Sequence, residues 1–194
     1  LLGIRSLRLH DRDPAATRKL VANLRGAGAS VELIECASVA EAVQGADIIT
    51  TLTADKRRAT LLRADQLAPG LHINAVGGDC PGKTELDADI LRRARVFVEF
   101  EPQTRIEGEL QRMPADFAVT ELWRVLTGQA PGRQGMLDIT LFDSVGFALE
   151  DYSVMRHMQA LGRAHGGLEA LALIPALDDP KDLYSLIRAA ETGT

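Results

Sequence analysis

The chain has 194 residues, 46% of them hydrophobic, and a net charge of -5. That is enough apolar material for one ordinary core or one and a half domains. The charges are interspersed, no basic stripe is present and aromatics are only 4%, so the electrostatic and stacking signatures of nucleic-acid binding are missing. The two cysteines, Cys36 and Cys80, are far apart and not at a metal-ligand spacing, which suits a reducing cytosol. No apolar run approaches the roughly 20 residues of a membrane span. The opening Leu1-Leu2-Gly3-Ile4-Arg5 lacks the basic and small-residue flanks of a secretory signal. It also lacks a methionine and reads as a strand already under way, so the chain is expected to be the carboxy-terminal portion of a longer protein.

In chain order, Arg5–His10 alternates and predicts a strand. Asp13-Pro14 then predicts a helix start, with the acid as cap and proline in the first turn. Leu20, Val21 and Leu24 give that helix an apolar face, and Gly26 and Gly28 end it. Val31–Ile34 is a second predicted strand. Ser38 and Glu41 form a capping box that opens a short helix to Gly45. Asp47–Leu52 is a third strand, apolar or β-branched nearly throughout, as expected when both faces are covered. Leu71–Val76 is a fourth. A helix start is expected directly after Lys83, then a helix over Asp87–Ala94, a fifth strand over Val96–Phe100 and a helix over Val119–Leu126. Ile139–Phe142 is the sixth strand, and a long helix runs from about Gly146 to His165.

Strand and helix alternate, which predicts a parallel, doubly wound α/β sheet. The rhythm stops near Leu149, where a long helix leads into a loop-rich tail, Ile174–Lys181. A domain boundary is therefore expected there, with residues 1–148 forming an incomplete dinucleotide-binding domain. Residues 149–194 then form a helical segment that packs with the absent amino-terminal substrate and dimerisation domain. In such a sheet the second strand ends in an acid that hydrogen-bonds the adenosine ribose, and Asp11 occupies that place. An acid there favours NAD over NADP, although Arg12 beside it keeps a phosphate possible. The glycine fingerprint belongs about 20 residues before that acid, and only ten residues precede Asp11. Gly26-Ala27-Gly28 follows a helix and Gly162 with Gly166-Gly167 lies at a helix end, so neither supplies it. The expected fold is thus a Rossmann-like sheet without its first β-α unit.

The densest chemical signal is Asn74–Leu86, reading Asn-Ala-Val-Gly-Gly-Asp-Cys-Pro-Gly-Lys-Thr-Glu-Leu. Two glycines after a strand let the backbone approach a flat ligand, and Asp79 follows at the carboxyl end of the sheet, where ligands bind. By itself Asp79 reads equally as a turn residue capping Pro81–Glu85, Lys83 as a solvated lysine, and Asp143 as a cap for the long helix. This stretch, with Asp47–Lys56, Arg95–Gly108, Pro114–Leu126, Phe142–Tyr152 and the tail Asp178–Leu183, resembles the ornithine cyclodeaminase/mu-crystallin family. The acid after Gly77-Gly78, backed by Cys80-Pro81-Gly82-Lys83, resembles its ornithine cyclodeaminase branch.

The resemblance implies NAD as cofactor, bound by Asp11 at the ribose, Thr53 on the adenine side, and Ile73, Asn74, Ala75 and Val76 beneath the nicotinamide half. Lys83 also contacts it, and Ser144 meets its nicotinamide end. Asp79 faces the substrate amines as the catalytic acid–base, and Val145 offers its backbone to the substrate. The reaction implied is L-ornithine to L-proline and ammonia: oxidation at the α-carbon, attack by the δ-amine, loss of ammonia and return of the hydride. A carboxylate near the δ-ammonium can accept its proton or orient it, and folding the substrate supplies proximity. The alternatives are a ketimine reductase or amino-acid dehydrogenase of the same family, or a non-catalytic ligand-binding relative like mu-crystallin. Four scattered histidines offer no metal spacing, and Ser144 has no histidine partner for hydrolase chemistry. The resemblance also implies a homodimer, with Met155, Met158 and Leu161 an apolar stripe on the last helix.

Overall fold

The computed structural model describes residues 3–54 and 58–169. Lys56 and the predicted tail segments Ile174–Lys181 and Asp178–Leu183 lie outside the described residues. The chain divides into two compact units, Leu1–Ala148 and Leu149–Thr194.

The first unit opens with β1 (Ser6–Leu9), α1 (Pro14–Gly26), β2 (Glu32–Glu35), α2 (Val39–Val43) and β3 (Ile48–Thr51). Both helix starts follow their caps. Asp13 accepts from Ala15 N at 2.9 Å, and Ser38 Oγ accepts from Glu41 N at 3.1 Å. Glu41 reaches back to Ala37 N, one residue before the cap, at 2.8 Å. Next come β4 (Arg58–Leu62), a 3-10 turn at Ala64–Gln66, β5 (His72–Ala75), β6 (Thr84–Leu86), α3 (Ala88–Arg93) and β7 (Arg95–Val98). α4 (Glu101–Glu107), a 3-10 turn at Glu109–Arg112, β8 (Thr120–Glu121), α5 (Leu122–Leu126) and β9 (Thr140–Asp143) complete the unit.

Among the described residues every strand pair is parallel. β1 pairs with β2, β4 with β6, and five strands run in the order β3-β5-β9-β7-β8. Among the described residues β1 and β3 each pair on one side only. A doubly wound sheet of order 3-2-1-4-5-6 has its first strand between the second and the fourth. The observed order follows that pattern, with the first strand left out, as far as β5; beyond it β9, the last strand among the described residues, lies between β5 and β7. The core lies between sheet and helices, with Leu62, Ile73, Leu86, Ile90, Leu91, Val98, Leu110 and Leu141 all essentially inaccessible.

Two predicted helices differ. No helix starts after Lys83: Thr84–Leu86 extend along β4, with Arg58 opposite Thr84 and Leu62 opposite Leu86. All three β6 residues are buried, so the segment lacks the alternation that marks a half-covered strand. The helix expected over Val119–Leu126 begins only at Leu122. Before it, Thr120 and Glu121 add to the free edge of β7, opposite Phe97 and Val98, as the β-branched Thr120 favours.

The second unit contributes α6 (Ala148–His165). Leu149, Tyr152, Val154, Met155, Met158 and Leu161 are all exposed on it. Among the described residues no helix is long and apolar enough to cross a membrane.

Candidate active site at the carboxyl edge of the sheet

The parallel strands deliver the predicted site residues to one edge. Asp11 follows β1, Thr53 follows β3, Val76 through Asp79 follow β5, and Ser144 and Val145 follow β9. Asp11 is exposed, and its Oδ1 accepts from Asp13 N at 2.7 Å, which fixes the turn into α1. Ile73 and Ala75 point into the core at 0% exposure, while Asn74 and Val76 lie on the other face. Only backbone is available to a ligand from Ile73 and Ala75.

Asn74 belongs to a line of hydrogen bonds across that face. Arg133 can only donate, and it gives to Thr140 Oγ1 at 2.8 Å. His72 Nδ1 lies 2.8 Å from the same hydroxyl, and His72 Nε2 lies 3.0 Å from Asn74 Oδ1. Asn74 Nδ2 donates to Thr50 Oγ1 at 3.3 Å. An amide oxygen accepts, so Nε2 carries the proton, and the Thr140 hydroxyl donates to Nδ1. Burial, and then the Arg133 charge, push the His72 pKa below its ordinary value against the opposing Asn74 bond. The imidazole is therefore neutral and structural.

Lys83 is not a solvated lysine. Its side chain is 3% exposed. The ammonium donates to Thr53 O at 2.8 Å and pairs with Asp79 Oδ1 at 3.3 Å. Asp79 itself is 56% exposed, while a buried cation holds one of its oxygens. The turn beneath it closes through Lys83 N donating to Cys80 O at 3.2 Å, with Gly82 at a φ of 86°.

Four further carboxylates, none singled out from the sequence as a site residue, organise the edge. Glu85 is 1% exposed. Its Oε1 accepts from Thr53 N at 2.9 Å and from the Thr53 hydroxyl, and its Oε2 is buried without a hydrogen bond. Glu109 accepts from Glu85 N at 2.5 Å and Leu86 N at 3.2 Å. Asp143 accepts from Glu109 N at 3.0 Å and Leu110 N at 2.8 Å. It thus caps the Glu109–Arg112 turn and not the long helix. Glu99, just past β7, accepts from Ser144 Oγ at 2.5 Å, Val145 N at 3.0 Å and Gly146 N at 2.8 Å. Burial drives Glu109 and Asp143 each up to about 7. For Glu109 the nearby Asp143 and Glu85 add to this, and for Asp143 Glu99 does, while backbone N–H bonds oppose it.

The glycine pair has an internal reason that the sequence reading missed. A Cβ on Gly77 would lie inside the Glu85 carboxylate. At Gly78 the nearest atom would be Glu107 O at 3.4 Å, an ordinary packing distance. Both glycines are buried. So Gly77 is small because an acid sits against it, whatever ligand lies above.

The arrangement is that of a dinucleotide-binding sheet: parallel strands, an acid after β1, and β1 and β3 each paired on one side only among the described residues. Comparison with known proteins agrees. Residues 1–162 match the ornithine cyclodeaminase/mu-crystallin family. The chain belongs to that family. It is 55% identical to the ornithine cyclodeaminase of Brucella suis biovar 1 (strain 1330) over 187 residues, 96% of this chain and 52% of that protein. A solved lysine cyclodeaminase, studied for recognition of L-lysine, L-ornithine and L-2,4-diamino butyric acid, matches with a TM-score of 0.82 and 28% identity, covering 95% of this chain and 53% of its own. The iminosuccinate reductase of Paracoccus denitrificans in complex with NAD+ matches with a TM-score of 0.76 and 26% identity, over 87% of this chain and 52% of its own. The chain spans about half the length of the curated relatives it matches.

Proposed function

We propose that the protein carrying this chain is an NAD-dependent ornithine cyclodeaminase, converting L-ornithine to L-proline and ammonia. The observation that carries the reading is Asp79: a half-exposed carboxylate just past β5, held at 3.3 Å by the buried ammonium of Lys83. The 55% identity to a protein named for this activity supports it. Asp79 has an exposed side chain with which to meet a second cation, the substrate's δ-ammonium, and to take its proton so that the amine becomes a nucleophile. Lys83, tied to Thr53 O, keeps that acid at one place on the cleft edge.

The residues present fit a dinucleotide. Asp11 would hold the adenosine ribose and Thr53 would line the adenine side. Asn74 and Val76, with the backbone of Ile73 and Ala75, would underlie the nicotinamide half. Lys83 and Ser144 would also contact it, and Val145 would meet the substrate. Bound NAD would supply the hydride acceptance and return that such a reaction needs. Ser144 supports the fit, because its hydroxyl proton already goes to Glu99, which leaves an acceptor for a carboxamide NH2.

The division at Leu149 supports a reading in which residues 1–148 bind the dinucleotide and residues 149–194 pack with a substrate and dimerisation domain. The exposed stripe of Met155, Met158 and Leu161 supports a covered, homodimeric assembly of the full-length protein. Two free cysteines support a reducing cytosol.

The test is proline and ammonia release from ornithine by the full-length protein, without net NADH production. Asp79→Asn is expected to lower kcat by at least about 100-fold, the usual range for a general acid–base group. A rate within a few fold of the parent refutes the assignment. Net consumption of NADH with a cyclic imine substrate would instead identify a reductase.

A further inference from the structure

Glu99 stands where two strand ends meet. β7 and β9 are paired, with Val98 opposite Asp143, so the next residues, Glu99 and Ser144, leave the sheet side by side. The rings of Phe100 and Phe147 stack 6.0 Å apart at 20° and tie the two departing segments together. Between them the Glu99 carboxylate takes three donors from consecutive residues: the Ser144 hydroxyl at 2.5 Å, Val145 N at 3.0 Å and Gly146 N at 2.8 Å. Gly146 has a φ of 68°, open to glycine at no steric cost. Two successive N–H groups converging on one oxygen make the kind of concavity that usually binds an external anion. Here the chain fills it with its own acid.

The consequence is a matter of proton counting. A carboxylate accepts and does not donate, and a serine hydroxyl has one proton. That proton is committed to Glu99, as are both N–H groups. What Ser144 and Val145 have left for a ligand is acceptors: the Ser144 lone pairs and their carbonyls. We propose that Glu99 is a positioning residue that strips the segment after β9 of donors. The segment is thereby selective for ligand groups that donate, a carboxamide NH2 or an ammonium, and rejects carboxylates. The inference rests on the proposed dinucleotide site and deepens it. It assigns the specificity to a residue that need not touch the ligand, and it states that Val145 meets an amine through its carbonyl and not its N–H.

The polarity can be inverted with little change of shape. In Glu99→Gln the amide oxygen can keep the two N–H groups, and its NH2 then faces Ser144. The serine must accept, and its own proton is freed towards the ligand. Kd is measured by calorimetry, in the full-length protein without substrate, for NAD+ and for nicotinic acid adenine dinucleotide, which carries a carboxylate in place of the carboxamide. A site built to accept from a donor discriminates strongly against an analogue that cannot donate.

The parent is expected to prefer NAD+ by at least about tenfold, and Glu99→Gln to narrow that ratio at least about fivefold, since one mismatched hydrogen bond sets it. Glu99→Asp, still a carboxylate, should retain most of the preference. An unchanged ratio in folded Glu99→Gln overturns the proposal. If that variant fails to fold, Ser144→Ala decides: it keeps both backbone bonds to Glu99 and must erase the ratio, and a preserved ratio again overturns the proposal. A parent that binds both dinucleotides equally refutes this inference alone. A parent that binds neither refutes the dinucleotide reading and this inference with it.

Discussion

Replacing Gly77 by alanine tests why the bend after β5 is built from glycine. The added methyl would fall inside the Glu85 carboxylate, closer than real Cβ atoms come to any other atom. Glu85 cannot simply swing aside. It is 1% exposed, and its other oxygen holds both the backbone N–H and the hydroxyl of Thr53. Overpacking a well-filled site costs about 1–3 kcal/mol. Loosening hydrogen bonds to a charged acceptor adds about 1.5–3 kcal/mol. The expected destabilisation is therefore about 2.5–6 kcal/mol. For a chain of this size that lowers the thermal midpoint by roughly 10 °C. Urea unfolding measures it in the absence of any dinucleotide, so a role in ligand approach contributes nothing to the value. The double variant Gly77→Ala/Glu85→Ala removes the obstruction. It should be more stable than the sum of the two single changes predicts, by at least about 1 kcal/mol. A Gly77→Ala variant within about 0.5 kcal/mol of the parent, or strictly additive changes, would refute the packing argument and leave ligand approach as the reason for the glycine.

The two buried acids give stability a pH dependence of definite sign. Glu109 is raised from 4.5 and Asp143 from 3.8, each to about 7. Both are fully inaccessible. The folded chain therefore keeps protons that the unfolded chain releases. Their contribution is complete below about pH 4, shrinks as pH rises, and is lost through about pH 7, on the order of 3 kcal/mol per group. Urea midpoints at pH 5 and pH 7.5 should show the lower stability at the higher pH, and Asp143→Asn should shrink the difference; a midpoint that rises with pH contradicts the reading. Lys83→Met keeps the length of the side chain but removes the bond to Thr53 O and the pair with Asp79. Losing a hydrogen bond to a charged group should lower kcat/KM of the full-length protein by about 10–100-fold, and steady-state kinetics with ornithine at saturating NAD+ would measure it.

The six sheet strands read from the sequence all form, because each carries either alternation or an apolar β-branched run between turn residues. What escaped detection carries no clear period. Thr84–Leu86 is a three-residue strand with both faces covered, so no periodicity marks it. Arg58–Leu62, its partner, has a charged first residue and an irregular register. The site divides in the same way. Asp79 and Lys83 stand in the motif that carries the resemblance, yet only the structure shows that Lys83 is buried between Thr53 and Asp79. Glu85, Glu99 and Glu109 carry no local signal. Each serves backbone N–H groups distant in sequence: Glu99 reaches Val145 and Gly146, and Glu109 reaches back to Glu85 and Leu86. A single sequence does not announce such a pairing. One available cue passed unused, namely four acids on the segment Glu99–Glu109 of a chain rich in apolar strands.

Asp143, Glu109 and Glu85 form a sequence of hand-offs that braces the edge where Asp79 stands. Asp143, at the end of β9, holds the backbone of Glu109. The Glu109 side chain holds the backbone of Glu85. The Glu85 side chain holds Thr53 from both its N–H and its hydroxyl. Lys83, two residues before Glu85, closes the loop by donating to Thr53 O and pairing with Asp79. Burying an acid is costly, as the raised Glu109 and Asp143 values record. It is tolerable here because each inward acid meets convergent backbone donors. Loops at the end of a sheet are ordinarily its most mobile parts. In this chain the loops after β3 and β9 are instead braced by carboxylates, Thr53 by Glu85 and Ser144 to Gly146 by Glu99, and Lys83 ties Asp79 to that platform. The platform is continuous, so damage should travel: a change at Asp143, which does not touch Thr53, should loosen Thr53 through Glu109 and Glu85. Faster amide exchange at Thr53 in Asp143→Asn, with exchange in α1 unaltered, is the expected result. Unaltered exchange at Thr53 would mean the acids act separately.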